Sequence, residues 1–304
     1  MNCQKITVIT VVYNDCKGLE ITANSIISQT SLSNVEWIVI DADSKDGTID
    51  VVRKYKQHIT HTISEPDNGI YDGMNKGIGL ANGEYTIFMN SGDTFADKDV
   101  IKNTLEFISK NEADYISGNT YHTIDNRITG KHIAPSKISA TFFFTDALCH
   151  QSTFIKTDRL KKYGGYDCKY KITADAKFFF EDIVLRNAKY QKIEIFVSRY
   201  GINGISACNP TRVQQEKMQF LSSLLPPLVK EDLQRVAFGK TNIERIFARL
   251  KHKGILYRII SIFAIILYSP RALKNRILMR FRKSNKNKTI IINPDETCNK
   301  GSLE

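Results

Sequence analysis

Short apolar segments alternate with helix-like segments along the first 120 residues of the chain. Four apolar segments have the length of a strand and contain many β-branched residues. They are residues 5–12, 35–40, 59–63 and 84–89. The segments between and after them carry apolar side chains at helical spacing, in residues 18–29, 46–57, 71–80 and 97–109. Strands that alternate with helices predict βαβ units and a mostly parallel sheet, and near-continuous apolar strands predict that helices cover both of its faces.

Part of a further strand is predicted at residues 115–117, and the pattern becomes less regular after Gly118. Residues 120–131 are typical of a hairpin, and a helix is predicted to start at Asp175 and to continue to residue 188. We therefore expect one α/β domain over residues 1–205 and a separate helical, basic region over residues 206–304.

Composition is that of an ordinary globular protein, but the positive charge is uneven. The 304 residues are 42% hydrophobic and 25% charged, with a net charge of +11. Residues 230–288 hold 16 of the 43 Lys and Arg but only 3 of the 32 Asp and Glu, which leaves 27 bases and 29 acids elsewhere. A near-neutral main domain argues against nucleic-acid binding by that domain.

The basic region contains an apolar run at residues 255–268, interrupted by Arg258. Its 14 residues fall short of the roughly 20 that a membrane-spanning helix needs. One interpretation is a helix that packs on the main domain. The other, which the coincidence of apolar and basic residues favours, is a helix lying on an anionic membrane surface.

Cysteine usage and the amino terminus favour a cytoplasmic location. No pair among the six cysteines has C-x-x-C spacing, so neither a zinc site nor a disulfide framework is expected. The first residues lack the basic and apolar regions of a secretory signal.

Carboxylates follow three of the predicted strands. Asp41 and Asp43 come after the second strand, Asp67 after the third and Asp93 after the fourth, while Asp175 begins a predicted helix. The carboxyl ends of parallel strands form the ligand-binding edge of such a sheet. Clustered carboxylates repel one another unless a cation compensates, and Mg²⁺ or Mn²⁺ with a phosphorylated ligand supplies that compensation. Neither a P-loop nor a G-x-G-x-x-G pattern is present.

Five segments together carry a resemblance to a known family. They are residues 10–14 (TVVYN), 41–48 (DADSKDGT), 64–77 (SEPDNGIYDGMNKG), 90–93 (NSGD) and 173–175 (TAD). In this order and spacing, over roughly the first 200 residues, they resemble family 2 glycosyltransferases with the GT-A fold. The form of residues 65–72 is similar to that in bacterial enzymes of exopolysaccharide, capsule and O-antigen assembly.

The resemblance implies a Rossmann-like GT-A domain with a helical, basic C-terminal extension. It also implies an inverting, metal-dependent hexosyl- or N-acetylhexosaminyltransferase that uses a nucleotide-diphosphate sugar, with a UDP-sugar as the expected donor and Mn²⁺ or Mg²⁺ as cofactor. The acceptor would be a lipid-linked or growing saccharide. The enzyme would be cytoplasmic and peripheral on the inner face of the membrane.

The resemblance also implies roles for particular residues. The expected nucleotide-sugar contacts are Thr10, Tyr13, Asp41, Asp67, Asn75, Lys76 and Ser91. Asp93 would bind the metal, and Asp175 would be the base that deprotonates the acceptor hydroxyl. His150 is a further candidate for contact with the acceptor or a phosphate. Because Ser91 stands where the family motif has its first acid, the metal would have one motif carboxylate.

Each of these residues also has a purely structural interpretation. Thr10 and Tyr13 could pack in or beside a strand, and the carboxylates could form turns or cap helices. Asn75 and Lys76 could lie on a solvated helix face, and His150 could be a hydrogen-bonded, partly buried histidine.

Three other functions are compatible with parts of the pattern. A sugar nucleotidyltransferase should have a glycine-rich loop after its first strand, but residues 10–15 contain no glycine. A non-catalytic nucleotide-sugar-binding module need not retain Asp175 alongside Asp93. A basic membrane- or nucleic-acid-binding protein is opposed by the near-neutral main domain.

Overall fold

A computed structural model describes residues 6–124, 127–202 and 204–250, and for residues 205 and 240–250 it describes the backbone alone. The apolar run 255–268 and its carboxyl-terminal basic flank lie outside the described residues. Contacts group the chain into two compact units, Met1–Phe238 and Gly239–Glu304. No helix within the described residues is long and apolar enough to cross a bilayer.

A nine-stranded sheet forms the centre of the first unit. Its strands are β1 (Ile6–Val12), β2 (Val35–Asp41), β3 (His61–Ser64), β4 (Tyr85–Phe88), β5 (Thr94–Phe95), β6 (Tyr115–Ile124), β7 (Arg127–His132), β8 (Thr153–Lys156) and β9 (Tyr190–Gly201). They are ordered β3-β2-β1-β4-β8-β6-β9-β5, with β7 paired to β6. Strands β1 to β4, β6 and β9 share one direction, whereas β5, β7 and β8 oppose it. The mostly parallel α/β sheet and the hairpin after Gly118 are therefore confirmed.

Helices cover both faces of the sheet. The α-helices of the described residues are α1 (Cys16–Ile27), α2 (Thr48–Lys54), α3 (Ile70–Leu80), α4 (Val100–Ile108), α5 (Phe142–Thr145), α6 (Thr157–Lys162), α7 (Ala174–Phe179), α8 (Ile205–Cys208), α9 (Pro210–Leu224) and α10 (Pro227–Leu250). Two hydrophobic clusters result, one with α1, α2 and α4, the other with α3, α7 and α9. Along β1, Val8 and Val12 belong to the first cluster, and Ile9 and Val11 belong to the second. Burial on both faces explains why the strands are apolar throughout.

The second half of the chain differs most from the sequence prediction. Strands β8 and β9 are not predicted, because β8 has four residues and β9 mixes charged side chains such as Lys192 and Glu194 with its apolar ones. The helix predicted to start at Asp175 and to continue to residue 188 begins at Ala174 and becomes a π-helix at Phe180–Leu185. Phe180 and Asp182 are both buried in this segment.

Asp182 anchors this π-helical segment through a buried ionic network. The Arg159 side chain donates two hydrogen bonds to the fully buried Asp182 carboxylate, at 2.6 and 2.7 Å. The Tyr115 hydroxyl donates a third at 2.5 Å. The network joins α6, β6 and the π-helical segment that follows α7.

We expect Asp182→Ala to lower the free energy of unfolding by about 3–5 kcal/mol, because it leaves the Arg159 guanidinium without its main partner. Urea denaturation measures the change. The matched control is Asp50→Ala, which removes the exposed Arg53–Asp50 ion pair and should cost no more than about 0.5 kcal/mol. Equal losses in the two variants would contradict a stabilising role for the network.

Candidate active site

A cavity of about 820 Å³ opens where the loops after β1 and β4 meet the segment before β8. Polar residues that line it include Asp15, Ser91, Asp93, His150, Tyr71 and Lys171. These residues come from distant parts of the chain and meet because β1 and β4 are adjacent and parallel. The cavity therefore lies at the sheet edge that the sequence predicts as the ligand site.

The turn that follows β4 is fixed by hydrogen bonds to α1. The Thr22 hydroxyl donates to the backbone oxygen of Asp93 at 2.8 Å and accepts from the Gly92 backbone N–H at 3.0 Å. Gly92 adopts φ 89°, a conformation that favours glycine. The Asp93 side chain is consequently held in the cavity wall with 8% exposure.

Burial raises the pKa of the Asp93 carboxyl to about 7. The positive charge of His150, a hydrogen bond from Gln151 and the backbone of Asn90 act in the opposite direction but do not cancel the burial effect. Asp93 thus lacks a strong cationic partner among the described residues. A bound cation would supply what this carboxylate lacks.

Asn90 and Asp93 fit a divalent metal ion. The buried side-chain oxygen of Asn90 receives no hydrogen bond within the described part of the chain. Carboxylate and amide oxygens are suitable ligands for Mg²⁺ and Mn²⁺, and phosphate oxygens and water usually complete the shell. No group of three or more His, Cys, Asp or Glu with metal-binding geometry occurs in the described residues. Any ion held here would therefore depend on ligands from the substrate.

Ser91 brings a second carboxylate to the cavity. Its hydroxyl donates to Oδ2 of Asp15 at 2.8 Å, while Oδ1 of Asp15 caps α1 by accepting from the Gly18 N–H at 3.0 Å. Gly18 permits this close approach, since a Cβ there would lie 1.9 Å from Asp15 Oδ2. Asp15 is not a site residue in the sequence prediction, because an acid before a helix is commonly a cap.

Asp175 lies in the first turn of α7 and is held by three donors. Its Oδ1 is 2.9 Å from the Tyr71 hydroxyl and 2.8 Å from the Ala176 backbone nitrogen, and its Oδ2 is 2.8 Å from His150 Nδ1. A carboxylate has about four acceptor positions, so at least one remains for a substrate hydroxyl. The side chain keeps 14% exposure.

His150 lies between the two candidate catalytic carboxylates. Burial acts to lower its pKa, but the hydrogen bond to Asp175 and the charges of Asp175 and Asp93 outweigh burial and raise the pKa. Its Nε2 is 3.5 Å from Asn90 Nδ2. The imidazole therefore connects Asp175 to the Asn90–Asp93 turn.

Tyr71 is suited to be a permanent hydrogen-bond donor. Burial, followed by the negative charge of Asp175, raises its pKa well above the ordinary value, so the phenol stays protonated. The Tyr71 hydroxyl is also 2.8 Å from the backbone oxygen of Ile172. It is part of a family-like motif, but the sequence does not reveal that its hydroxyl meets Asp175.

The remaining predicted donor-site residues lie outside this cavity wall. Thr10 is fully buried and accepts a hydrogen bond from Trp37 Nε1 at 3.0 Å, whereas Tyr13 is 66% exposed beyond β1. Asp41 is also fully buried and accepts from the Ser64 hydroxyl at 2.6 Å.

Three other predicted residues make local contacts on or before α3. Asp67 Oδ1 accepts from the Gly69 N–H at 2.9 Å. Asn75 pairs with the backbone N–H and C=O of Tyr166 at 2.7 and 2.8 Å, and Lys76 Nζ donates to the Pro66 oxygen at 2.9 Å. Their nucleotide-binding roles remain predictions.

Residues 7–165 match the model of a family described as Glycosyl transferase family 2. The chain is 29% identical over 188 residues to a Mycobacterium tuberculosis protein named uncharacterized glycosyltransferase Rv1514c, covering 57% of this chain and 66% of that protein. It is 25% identical over 156 residues to a PGL/p-HBAD biosynthesis glycosyltransferase of Mycobacterium bovis, covering 50% of this chain and 59% of that protein. The matched region thus spans less than two thirds of either relative.

Two solved structures share the fold. The Staphylococcus aureus TarS fragment 1–349 with UDP has a TM-score of 0.59 at 19% identity, covering 77% of this chain and 71% of the fragment. The mannosyltransferase PcManGT of Pyrobaculum calidifontis, in complex with GDP-Man and Mn²⁺, has a TM-score of 0.59 at 15% identity and covers 95% of this chain and 89% of its own. These likenesses confirm the GT-A fold.

The raised pKa of Asp93 predicts a pH-dependent contribution to stability. The folded protein binds the proton more tightly than the unfolded chain, whose pKa is near 3.8, so this contribution should fall as pH rises from about 4 to about 7. Asp93→Asn removes the titration and should be more stabilising, relative to the wild type, at pH 8 than at pH 5. Urea denaturation of both proteins at the two pH values measures this, and an equal difference at both would contradict it.

Proposed function

Because the chain belongs to glycosyl transferase family 2, we propose that it transfers a hexosyl or N-acetylhexosaminyl group from a nucleotide-diphosphate sugar to an acceptor hydroxyl. The observation that carries this proposal is that Asp93 lines the cavity while Asp175 is hydrogen bonded to two of its lining residues, Tyr71 and His150. One carboxylate is buried without a strong cation, and the other is firmly hydrogen bonded with an acceptor position to spare.

A nucleotide-diphosphate sugar is the proposed donor, and a UDP-sugar is the first choice. In support, TarS is known in complex with UDP and with UDP-GlcNAc, and PcManGT in complex with GDP-Man. The nucleotide would contact Tyr13 and the ends of β1 and β2, and its diphosphate would extend toward Ser91 and Asp93. Thr10 and Asp41, which are buried at those strand ends, would support this surface from beneath.

Asp93 and the Asn90 amide oxygen would hold Mn²⁺ or Mg²⁺ together with the donor diphosphate. In support, the Asn90 oxygen is buried without a described donor, and PcManGT is known in a complex with Mn²⁺. When bound, the ion would neutralise the charge that develops on the leaving diphosphate.

Asp175 would be the general base of a single displacement. Its free acceptor position would receive the hydrogen bond of the acceptor hydroxyl, and the carboxylate would take the proton as the oxygen attacks the anomeric carbon. Tyr71 and His150 would keep the carboxylate in one orientation. Attack from the side opposite the leaving group would invert the anomeric centre. A non-catalytic module would have no use for this arrangement.

The acceptor is proposed to be a lipid-linked or growing saccharide, with the basic C-terminal region bringing the enzyme to the inner face of the membrane. The coincidence of apolar run 255–268 with flanking Lys and Arg supports this proposal.

The catalytic assignment predicts separate effects on binding and transfer. Asp175→Asn should lower transfer by about 100-fold or more, because the amide cannot take the proton, while donor binding should be retained. The assay uses water as the acceptor and measures hydrolysis of UDP-glucose, UDP-GlcNAc and GDP-mannose as release of the nucleoside diphosphate, with and without Mn²⁺. Thermal stabilisation by each donor is the binding control. Full activity of the variant would remove Asp175 from the mechanism.

Vesicle binding tests the membrane proposal. The full chain should sediment with vesicles that contain phosphatidylglycerol, and less so in high salt, because the attraction to anionic lipid is screened. Truncation after Lys240 should abolish sedimentation, and neutral phosphatidylcholine vesicles are the control. Equal sedimentation of the full and truncated chains would contradict the membrane proposal and favour the interpretation that residues 255–268 pack on the main domain.

A further inference from the structure

Glu216 on α9 makes an unusual set of contacts with the segment that leads to Asp175. Its carboxylate, in a residue with 8% exposure, accepts hydrogen bonds from three consecutive backbone N–H groups. The distances are 3.1 Å for Lys171, 2.9 Å for Ile172 and 3.1 Å for Thr173. The Thr173 hydroxyl lies 3.2 Å from the same carboxylate.

These amides directly precede α7, whose second residue is Asp175. Thr173 is the N-cap of α7, but its own side chain makes no capping hydrogen bond. Backbone N–H groups at a helix start need acceptors from elsewhere, and unsatisfied ones are costly when buried. Glu216 supplies those acceptors from a helix about 40 residues further along the chain.

Glu216 is suited to this task because it stays ionised. Burial acts to raise its pKa, but the N–H groups of Ile172 and Lys171, the Arg212 side chain and Thr173 outweigh burial and lower the pKa. Arg212, one helical turn away, donates from Nε at 3.1 Å. An ionised carboxylate makes stronger hydrogen bonds to N–H groups than a neutral acceptor does.

The same segment is held from the opposite side by Tyr71. Its hydroxyl is 2.8 Å from the Ile172 oxygen and 2.9 Å from Asp175. The backbone before α7 is thus fixed between α9, through Glu216, and α3, through Tyr71. Lys171 and Ile172 also line the 820 Å³ cavity, so a shift of this segment would change both the base and the cavity wall.

We propose that Glu216 is a positioning residue for transfer: it holds residues 171–173 so that the free acceptor position of Asp175 faces the acceptor hydroxyl. The proposal rests on the proposed function of Asp175 as the base. Glu216 itself does not line the 820 Å³ cavity, and it lies outside the 7–165 region that matches the family.

Glu216→Gln is the most informative substitution, because it keeps the side-chain shape. Whichever way the amide is oriented, its NH₂ group meets a backbone N–H that formerly donated to a carboxylate oxygen. The segment should therefore move locally. We expect kcat to fall by about 10- to 100-fold, the scale of a small misplacement of a catalytic group. The KM for the donor and thermal stabilisation by the donor should stay close to wild type.

Leu221→Ala is the matched control on the same helix. Leu221 is fully buried in the core but makes no hydrogen bond to residues 171–173 in the described structure. It should lower the Tm while leaving kcat at 25 °C near wild type. The two variants are compared at equal Tm. If Glu216→Gln lowers kcat no more than Leu221→Ala does, Glu216 only stabilises the fold, and the proposal is overturned.

Hydrogen exchange of the full-length proteins provides a readout that does not need activity. The amides of residues 171–173 should exchange faster in Glu216→Gln than in the wild type or Leu221→Ala. Unchanged exchange would overturn the proposal. The wild type could release no nucleotide from UDP-glucose, UDP-GlcNAc or GDP-mannose while Glu216→Gln still speeds the exchange of amides 171–173. That result would contradict the proposed function but confirm that Glu216 holds this segment.

Glu216→Asp is a second test of the proposal, which can be used if Glu216→Gln does not fold. It keeps the charge, but the side chain is one methylene shorter and cannot reach all three N–H groups. We expect a folded protein with a lower kcat and an unchanged donor KM. Wild-type kcat in this variant would count against the positioning role.

Discussion

The proposed mechanism depends on a single constraint, which is that the Asp175 carboxylate must be held firmly and still accept one more hydrogen bond. A loosely held carboxylate would lose alignment with a substrate, and a fully satisfied one could not take a proton. Tyr71, His150 and the Ala176 N–H fill three positions from three segments of the chain. The sheet order, the loop before β8 and the helices on that face all serve to bring these donors together.

The fold surrounds the two proposed functional carboxylates, Asp175 and Asp93, in opposite ways. Asp175 is surrounded by donors, whereas Asp93 is buried with so little compensation that its pKa rises to about 7. The uncompensated burial of Asp93 lowers the free energy of unfolding near neutral pH. It also leaves the Asp93 carboxylate able to bind a cation. The charges of both Asp175 and Asp93 act on His150, so a cation bound at Asp93 would also change the electrostatic surroundings of the proposed base.

The strands that can be predicted from the sequence differ from the others in how completely they are buried. Strands β1 and β2 are predicted well because burial on both faces leaves an uninterrupted apolar run. Strand β9 is not predicted, because charged side chains at its exposed positions interrupt the apolar pattern of the strand. In the site, Asp93 and Asp175 stand out in the sequence through motif and spacing, whereas Asp15 and Glu216 resemble an ordinary cap and an ordinary helix residue.

The sequence by itself determined the α/β architecture, the family resemblance and the edge of the sheet where ligands bind. Those features follow from local periodicity and from motifs whose members lie close along the chain. Only the tertiary structure decided that Tyr71 and His150 hold Asp175 and that Glu216 fixes the segment before it. These contacts join residues 25 to 104 positions apart, and no local pattern in a single sequence records which distant donor meets which acceptor.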